Sequence, residues 1–192
     1  MGFTREQLLA YSDTTVPDLL GPDCRLLFAG INPGLWTAAT GAHFARPGNR
    51  FYPALYEAGI VDHVIDATDG MSFADRNALV DAGVGITNVA PRATAKASEL
   101  STDELREGGE ALVERVLRVA PRVLAVLGIT AYRTAFHEPK AVPGPQDRII
   151  GETRVWVLPN PSGLNAHETV ASLAAAYREA AVAAGVARLN SR

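Results

Sequence analysis

Two short loops concentrate the polar chemistry of this chain. Asn32 stands in Gly30-Ile31-Asn32-Pro33-Gly34-Leu35, and Asn160 and Ser162 stand in Pro159-Asn160-Pro161-Ser162-Gly163-Leu164. A side-chain amide takes no proton from water at neutral pH, but its oxygen and N–H groups can hold and orient a bound molecule. The flanking prolines and glycines stiffen the backbone and let it approach a ligand closely. Each loop ends an apolar run, Arg25-Leu26-Leu27-Phe28-Ala29 and Arg154-Val155-Trp156-Val157-Leu158. Short apolar runs bounded by Gly and Pro read as buried parallel strands. In an open α/β sheet, the loops at the carboxyl ends of strands form the binding crevice. Taken alone, Asn-Pro-Gly also reads as an ordinary turn.

The first block extends through Thr40-Gly41-Ala42-His43-Phe44-Ala45-Arg46-Pro47-Gly48-Asn49-Arg50-Phe51. It resembles the mismatch-specific uracil-DNA glycosylases and the related thymine-DNA glycosylases. Asn160-Pro161-Ser162-Gly163-Leu164 is similar to the helix-penetrating loop of the bacterial branch. The resemblance runs over roughly residues 22 to 185, with both motifs in order and each after a strand. It implies an α/β three-layer αβα sandwich around a mostly parallel four-stranded sheet. It also implies a monofunctional DNA glycosylase of base excision repair, hydrolysing the N-glycosidic bond of uracil in mismatched double-stranded DNA. Ethenocytosine and other damaged pyrimidines are further candidate bases. The expectation carries no cofactor, no metal and no membrane partner, and a monomer in the cytoplasm, nucleoid-associated in a bacterium.

By this resemblance Asn32 is the catalytic residue. An amide can only hold and orient the attacking water, whereas a true general base is worth about 10²–10⁴-fold, so a slow enzyme is expected. Phe44 lies where the family stacks the extruded base, since enzymes that act on a base take it out of the helix. Backbone N–H groups of Ile31 and Phe44 are implied donors to the base's carbonyl oxygens, by the logic of an oxyanion hole. His43 either joins this pocket or is a loop histidine half in solvent. Asn88, in Gly85-Ile86-Thr87-Asn88-Val89, also belongs to the expected pocket. The loop of Asn160, Pro161, Ser162, Gly163, Leu164 and Asn165 is expected to enter the DNA. Leu164 would fill the hole left by the flipped nucleotide; the alternative is a leucine tucked against the sheet edge. Asn165-Ala166-His167 departs from the bacterial Ser-Arg pair, which leaves the demand for an opposite guanine open. Arg46, Arg50, Arg92 and Lys96 are candidate phosphate contacts. No lysine lies in either motif loop, so the chain lacks the amine a lyase would need there.

Composition narrows the field. The chain has 192 residues, 47% hydrophobic, which suits one domain with a sizeable core, taken as 1–192. Its single cysteine, Cys24, permits neither an internal disulfide nor an iron–sulfur site and reads as a core thiol. A net charge of -3 argues against generic DNA coating but leaves room for a local basic patch. No apolar stretch approaches the ~20 residues of a bilayer span, and the N-terminus does not read as a secretory signal. Gly83-Val84-Gly85 lacks the third glycine of the dinucleotide fingerprint, and Ser162 lacks a hydrolase elbow. The four histidines have no metal-ligand spacing. Two other functions stay open: a catalytically idle DNA- or nucleotide-binding protein of the same fold, and an α/β enzyme acting on free nucleosides.

The elements that must position these residues follow from pattern. Capping boxes at Thr4-Arg5-Glu6-Gln7 and Ser101-Thr102-Asp103-Glu104 open helices to about Tyr11 and Val119. The second buries Leu105, Leu112, Val113, Val116 and Leu117 on one face. Strands are expected at 25–29, 84–89, 122–127 and 154–158, and helices at 48–58, 130–136 and 169–184. Gly30 to Arg46 reads as a loop of roughly 16 residues, a length that usually marks function. The Pro-rich stretch from His137 to Gln146 also reads as a loop.

Overall fold

Strand alternation explains how the chain divides its apolar residues. In β1 (Leu26–Gly30), Leu26 and Phe28 point to one face, and Leu27 and Ala29 to the other. β3 (Val123–Leu127) does the same with Val123, Ala125 and Leu127 against Leu124 and Val126. Both strands are buried along their whole length, as sheets covered on both faces require. With β2 (Val84–Asn88) and β5 (Thr153–Leu158), they form the parallel part of one sheet. The structure is a computed structural model and describes residues 2–186. Met1 and residues 187–192, at the ends of the expected 1–192 domain, lie outside the described residues.

The sheet has five strands, in the order β2-β1-β3-β5-β4, and not the expected four. β4 (Gly144–Ile150) pairs antiparallel with β5, with a register shift between Pro145 and Ile149. Its burial alternates between half-buried and exposed, and it carries Pro145 at its start. An edge strand tolerates proline because its outward N–H needs no ladder partner. The same proline, beside Pro143 and Gly144, makes the stretch look like loop in sequence.

Helices cover both faces. α3 (Phe51–Glu57), α4 (Phe73–Asp81) and α7 (Val170–Ala184) lie over one face, where Phe28 meets Phe51 edge-on at 5.2 Å and Tyr177 at 5.5 Å. α5 (Thr102–Val119) and α6 (Ile129–Ala135) cover the other with Leu112, Val116 and Tyr132. Leu117, expected on the inner face of α5, is exposed, because that helix packs on a narrower stripe. Cys24 is a free, buried thiol, and burial pushes its pKa up to about 11, which keeps it in the thiol form at neutral pH.

Two helices surround the first motif. α1 (Arg5–Leu9) is held by the Thr4–Gln7 capping box. α2 (Leu35–Thr40) occupies the middle of the stretch from Gly30 to Arg46, which is therefore not a structureless loop. α1 rests on α2 through Phe3, edge-on to Trp36 at 5.1 Å. The segment after α1 is strapped across the sheet end. Asp13 N–H donates to the Ala93 carbonyl at 3.0 Å, and Leu19 exchanges backbone bonds with Ile86. Asp18 accepts from Thr87 Oγ1 at 2.6 Å and pairs with Arg115 at 2.9 Å.

Candidate active site

The carboxyl ends of β1, β2, β3 and β5 point to one edge, and both motif loops lie there. Asn32 follows β1 directly. Its Nδ2 donates to the Arg92 carbonyl at 2.8 Å, to Thr94 Oγ1 at 2.8 Å and to the Pro33 carbonyl at 3.2 Å. Carbonyls only accept, so this edge of the amide must be the NH₂ group. Oδ1 is therefore the group left to accept a hydrogen bond from a molecule in the cleft. Thr94 is itself fixed, donating from Oγ1 to the Lys96 carbonyl at 2.9 Å and from N–H to the Pro33 carbonyl at 3.1 Å. Sequence reasoning missed Thr94; only its place six residues beyond the strand that ends at Asn88 hinted at it.

Arg92 does not serve as a free phosphate contact. Its guanidinium binds Glu104 at 2.6 Å and Asp13 at 2.8 Å. The hydrogen bond from Arg92, with help from Ser101, holds the Glu104 carboxyl down to about 2. What Arg92 gives the site is its carbonyl.

Behind Asn32 lies a cleft of about 150 Å³. Its lining includes Gly30, Ile31, Asn32, His43, Phe44, Asn88, Asn160 and Ser162. The first loop, the end of β2 and the second loop thus converge on one space. Phe44 adopts a left-handed backbone, φ 55°, which costs a non-glycine residue roughly 1–3 kcal/mol. One face of its ring stacks on Phe51 at 4.0 Å and 27°, and the side chain reaches the cleft wall. Gly30 is the floor. A Cβ there would stand 2.7 Å from Asn88 Oδ1 and 3.3 Å from Phe44 Cζ, so only glycine leaves the space open.

His43 is 4% exposed, which excludes the half-solvated alternative. Its Nε2–H donates to the Pro17 carbonyl at 3.0 Å, and burial lowers its pKa, so the ring is neutral. Nδ1 is then a lone pair that accepts from Asn88 Nδ2 at 3.5 Å. This sets the Asn88 amide, whose Oδ1 hangs over Gly30 in the cleft. Arg115 braces the same residue by donating to the Asn88 carbonyl at 3.3 Å.

The second loop is built rigid. Asn160 Oδ1 accepts from Ser162 N–H at 3.0 Å, and Asn165 Nδ2 donates to the Asn160 carbonyl at 3.2 Å. Tyr177 OH anchors its start at the Pro159 carbonyl, 3.0 Å away. Leu164 stands at the tip, 76% exposed, and is not tucked against the sheet. Gly163 lies so close to the Gly48 carbonyl that a Cβ would come within 2.6 Å of it. Arg50 also departs from its expected phosphate role. Its guanidinium donates to the carbonyls of Ser162 and Asn165, each at 2.6 Å, and of Glu168, while its N–H donates to the Pro161 carbonyl at 3.0 Å. Arg46 and Lys96 are exposed, and neither has a carboxylate partner among the described residues. Among the described residues no His, Cys, Asp or Glu cluster could hold a metal, and no helix is long and apolar enough to cross a membrane.

A family profile described as the uracil DNA glycosylase superfamily matches residues 17–183. Among solved structures, the chain is similar to the solution NMR structure of a candidate uracil DNA glycosylase from Methanosarcina acetivorans. That match has a TM-score of 0.57 at 17% identity and covers 87% of this chain and 97% of the other, a likeness of fold.

Proposed function

This chain belongs to the uracil DNA glycosylase superfamily, and from that premise we propose that it hydrolyses the N-glycosidic bond of uracil in mismatched duplex DNA. The observation that carries the proposal is the Asn32 amide. Its nitrogen is tied to fixed acceptors, and its oxygen is left for the cleft. A water hydrogen-bonded to Oδ1 is held for attack on the sugar carbon without being deprotonated in advance. The extruded base stacks on Phe44, and the Asn88 amide meets its edge. Asn88 offers one acceptor and one spare N–H, a pair complementary to uracil's ring N–H and its neighbouring carbonyl. Ile31 and Phe44 N–H groups supply donors to the departing base, where negative charge develops. The reaction ends at an abasic sugar, since no lysine of the motif loops can capture it.

Leu164 favours duplex DNA over a free nucleoside as the substrate. A large apolar side chain held at the tip of a braced polar loop suits a gap in stacked bases, which a free nucleoside does not offer. The weak catalyst favours mismatches, because extrusion costs least where pairing is already poor.

Single-turnover assays on duplexes with one uracil opposite guanine, followed by alkali cleavage, test the proposal. Strand scission at the uracil position, lost in Asn32→Ala, is expected. A well-folded wild type that leaves every uracil duplex intact would overturn it and favour an idle binding protein.

A further inference from the structure

Beside the base cleft lies a second and larger space, about 500 Å³, whose walls come from the two helices around the first motif. Leu8 and Leu9 of α1 face Leu35 and Trp36 of α2, and Arg5 and Arg46 stand at its margin. It shares Gly34, Thr37 and Arg46 with the base cleft, so the two spaces adjoin.

Its walls are fixed. A five-residue helix has little stability of its own, yet α1 is closed by a complete capping box and docked through Phe3 on Trp36. Trp36 is in turn anchored, its indole N–H donating to the Thr68 carbonyl at 2.8 Å. The cations are unspent. Arg92, Arg106, Arg115 and Arg148 all pair with carboxylates, whereas Arg5 and Arg46 have no carboxylate partner among the described residues. Two guanidinium groups without carboxylate partners thus stand beside an apolar trough, in a chain of net charge -3.

We propose that this groove receives the nucleotides next to the flipped one on the same DNA strand, with Arg5 and Arg46 on their phosphates and the apolar walls against sugar and base. The inference rests on the uracil-glycosylase reading of the base cleft. A strand that sends one base into that cleft must leave it past a neighbouring surface. The space between α1 and α2 adjoins the cleft, carries two cations for phosphates and is apolar enough for a displaced nucleoside. α1 thereby becomes part of the DNA-binding surface, a role that sequence reading gave to no residue before Ile31.

The test measures binding of a duplex containing 2′-fluorinated deoxyuridine opposite guanine, which resists cleavage, by fluorescence anisotropy at a series of salt concentrations. Arg5→Gln is compared with Arg118→Gln, an exposed arginine in the last turn of α5, whose end leads into the opposite edge of the sheet. Each phosphate contact contributes roughly 0.9 to the slope of log affinity against log salt. Arg5→Gln should flatten the slope by roughly 0.9, so that between 50 and 200 mM salt the wild type loses about 3.5-fold more affinity than the variant. Leu9→Glu, which puts negative charge into the trough, should weaken binding further, and Arg118→Gln should match the wild type. Equal slopes for Arg5→Gln, Arg118→Gln and wild type would overturn the inference, as would absence of wild-type binding. Excision is scored separately. A wild type that binds with the expected slopes but excises nothing sinks the proposed reaction and not the groove.

Discussion

The Arg50 guanidinium donates to the Ser162 carbonyl at 2.6 Å, across 112 residues of sequence. With the carbonyls of Asn165 and Glu168 it makes one side chain the brace of the second loop. Hydrogen bonds to a charged group are worth about 1.5–3 kcal/mol each. Arg50→Ala should therefore lower stability by about 2 kcal/mol or more, and should slow excision from paired duplexes more than from single-stranded DNA. Arg50→Lys, with one compact charge in place of a planar fork, should recover only part of both. Denaturant unfolding and single-turnover rates on the two substrates check this. A uniform loss on both substrates would mean that the loop's shape does not matter to extrusion.

Asn32→Ala should reduce excision by about 10²-fold or more with DNA affinity retained. Asn32→Asp should not be a simple gain. A carboxylate would turn one oxygen toward the Arg92 carbonyl, now 2.8 Å from the amide nitrogen, and two acceptors repel. The Asp pKa should therefore rise, and the rate of this variant should climb with pH where the wild type is flat. Thr94→Val removes one of the three acceptors of Asn32 and should lower the rate at saturating DNA, with Thr94→Ser restoring it. A pH–rate series on the wild type and the four variants would show whether the amide's orientation is what matters.

Gly30→Ala should close the base cleft, because the new methyl would stand 2.7 Å from Asn88 Oδ1 and 3.3 Å from Phe44. The expected result is a folded protein that binds DNA yet excises at least an order of magnitude more slowly, since overpacking strains a filled site by about 1–3 kcal/mol. Wild-type excision by this variant would show that the base does not rest over Gly30.

Leu164→Ala should hurt stably paired substrates most. Extrusion costs a few kcal/mol and least for mismatched or unpaired bases. The order of loss should be uracil opposite adenine, then uracil opposite guanine, then single-stranded uracil. Single-turnover rates on the three decide it, and equal losses would remove Leu164 from the extrusion step.

Burial lowers the His43 pKa from its ordinary 6.5. Below 6.5 the unfolded chain then binds a proton that the folded chain refuses, so stability falls as pH falls. The contribution is complete above 6.5 and is lost as pH drops through the depressed folded value. His63 works in the opposite sense, its pKa raised first by Asp75 and then by Asp62. The readout is therefore the difference between wild type and His43→Gln, measured by denaturant unfolding from pH 7.5 to 5. That difference should change below pH 6.5 and be constant above it.

Both motif loops and the strands that carry them were legible in sequence because burial on two faces leaves continuous apolar runs, as at Leu26–Ala29. β4 was not, since an edge strand with Pro145 has neither the run nor a clean alternation. α2 was hidden because a six-residue helix is too short to show a period. At the site, the family resemblance pointed to Asn32, Phe44 and Asn88, which the fold gathers around one cleft. Charge misled at Arg50 and Arg92: a guanidinium looks the same in sequence whether it faces phosphate or ties down backbone, and only the positions of Ser162, Asn165 and Glu104 distinguish the two.

The grip on Asn32 comes mostly from main chain. The carbonyls of Arg92 and Pro33 would be offered by nearly any residue at those positions, and Thr94 alone contributes a side chain. Substitution at position 92 therefore leaves an acceptor for the Asn32 amide, provided the backbone path survives loss of the ion pairs to Glu104 and Asp13. Position 94 has no such freedom. A selection screen for lost repair in this protein should recover substitutions at 94 readily and at 92 rarely, leaving the main-chain part of the hold on Asn32 almost invisible to mutation.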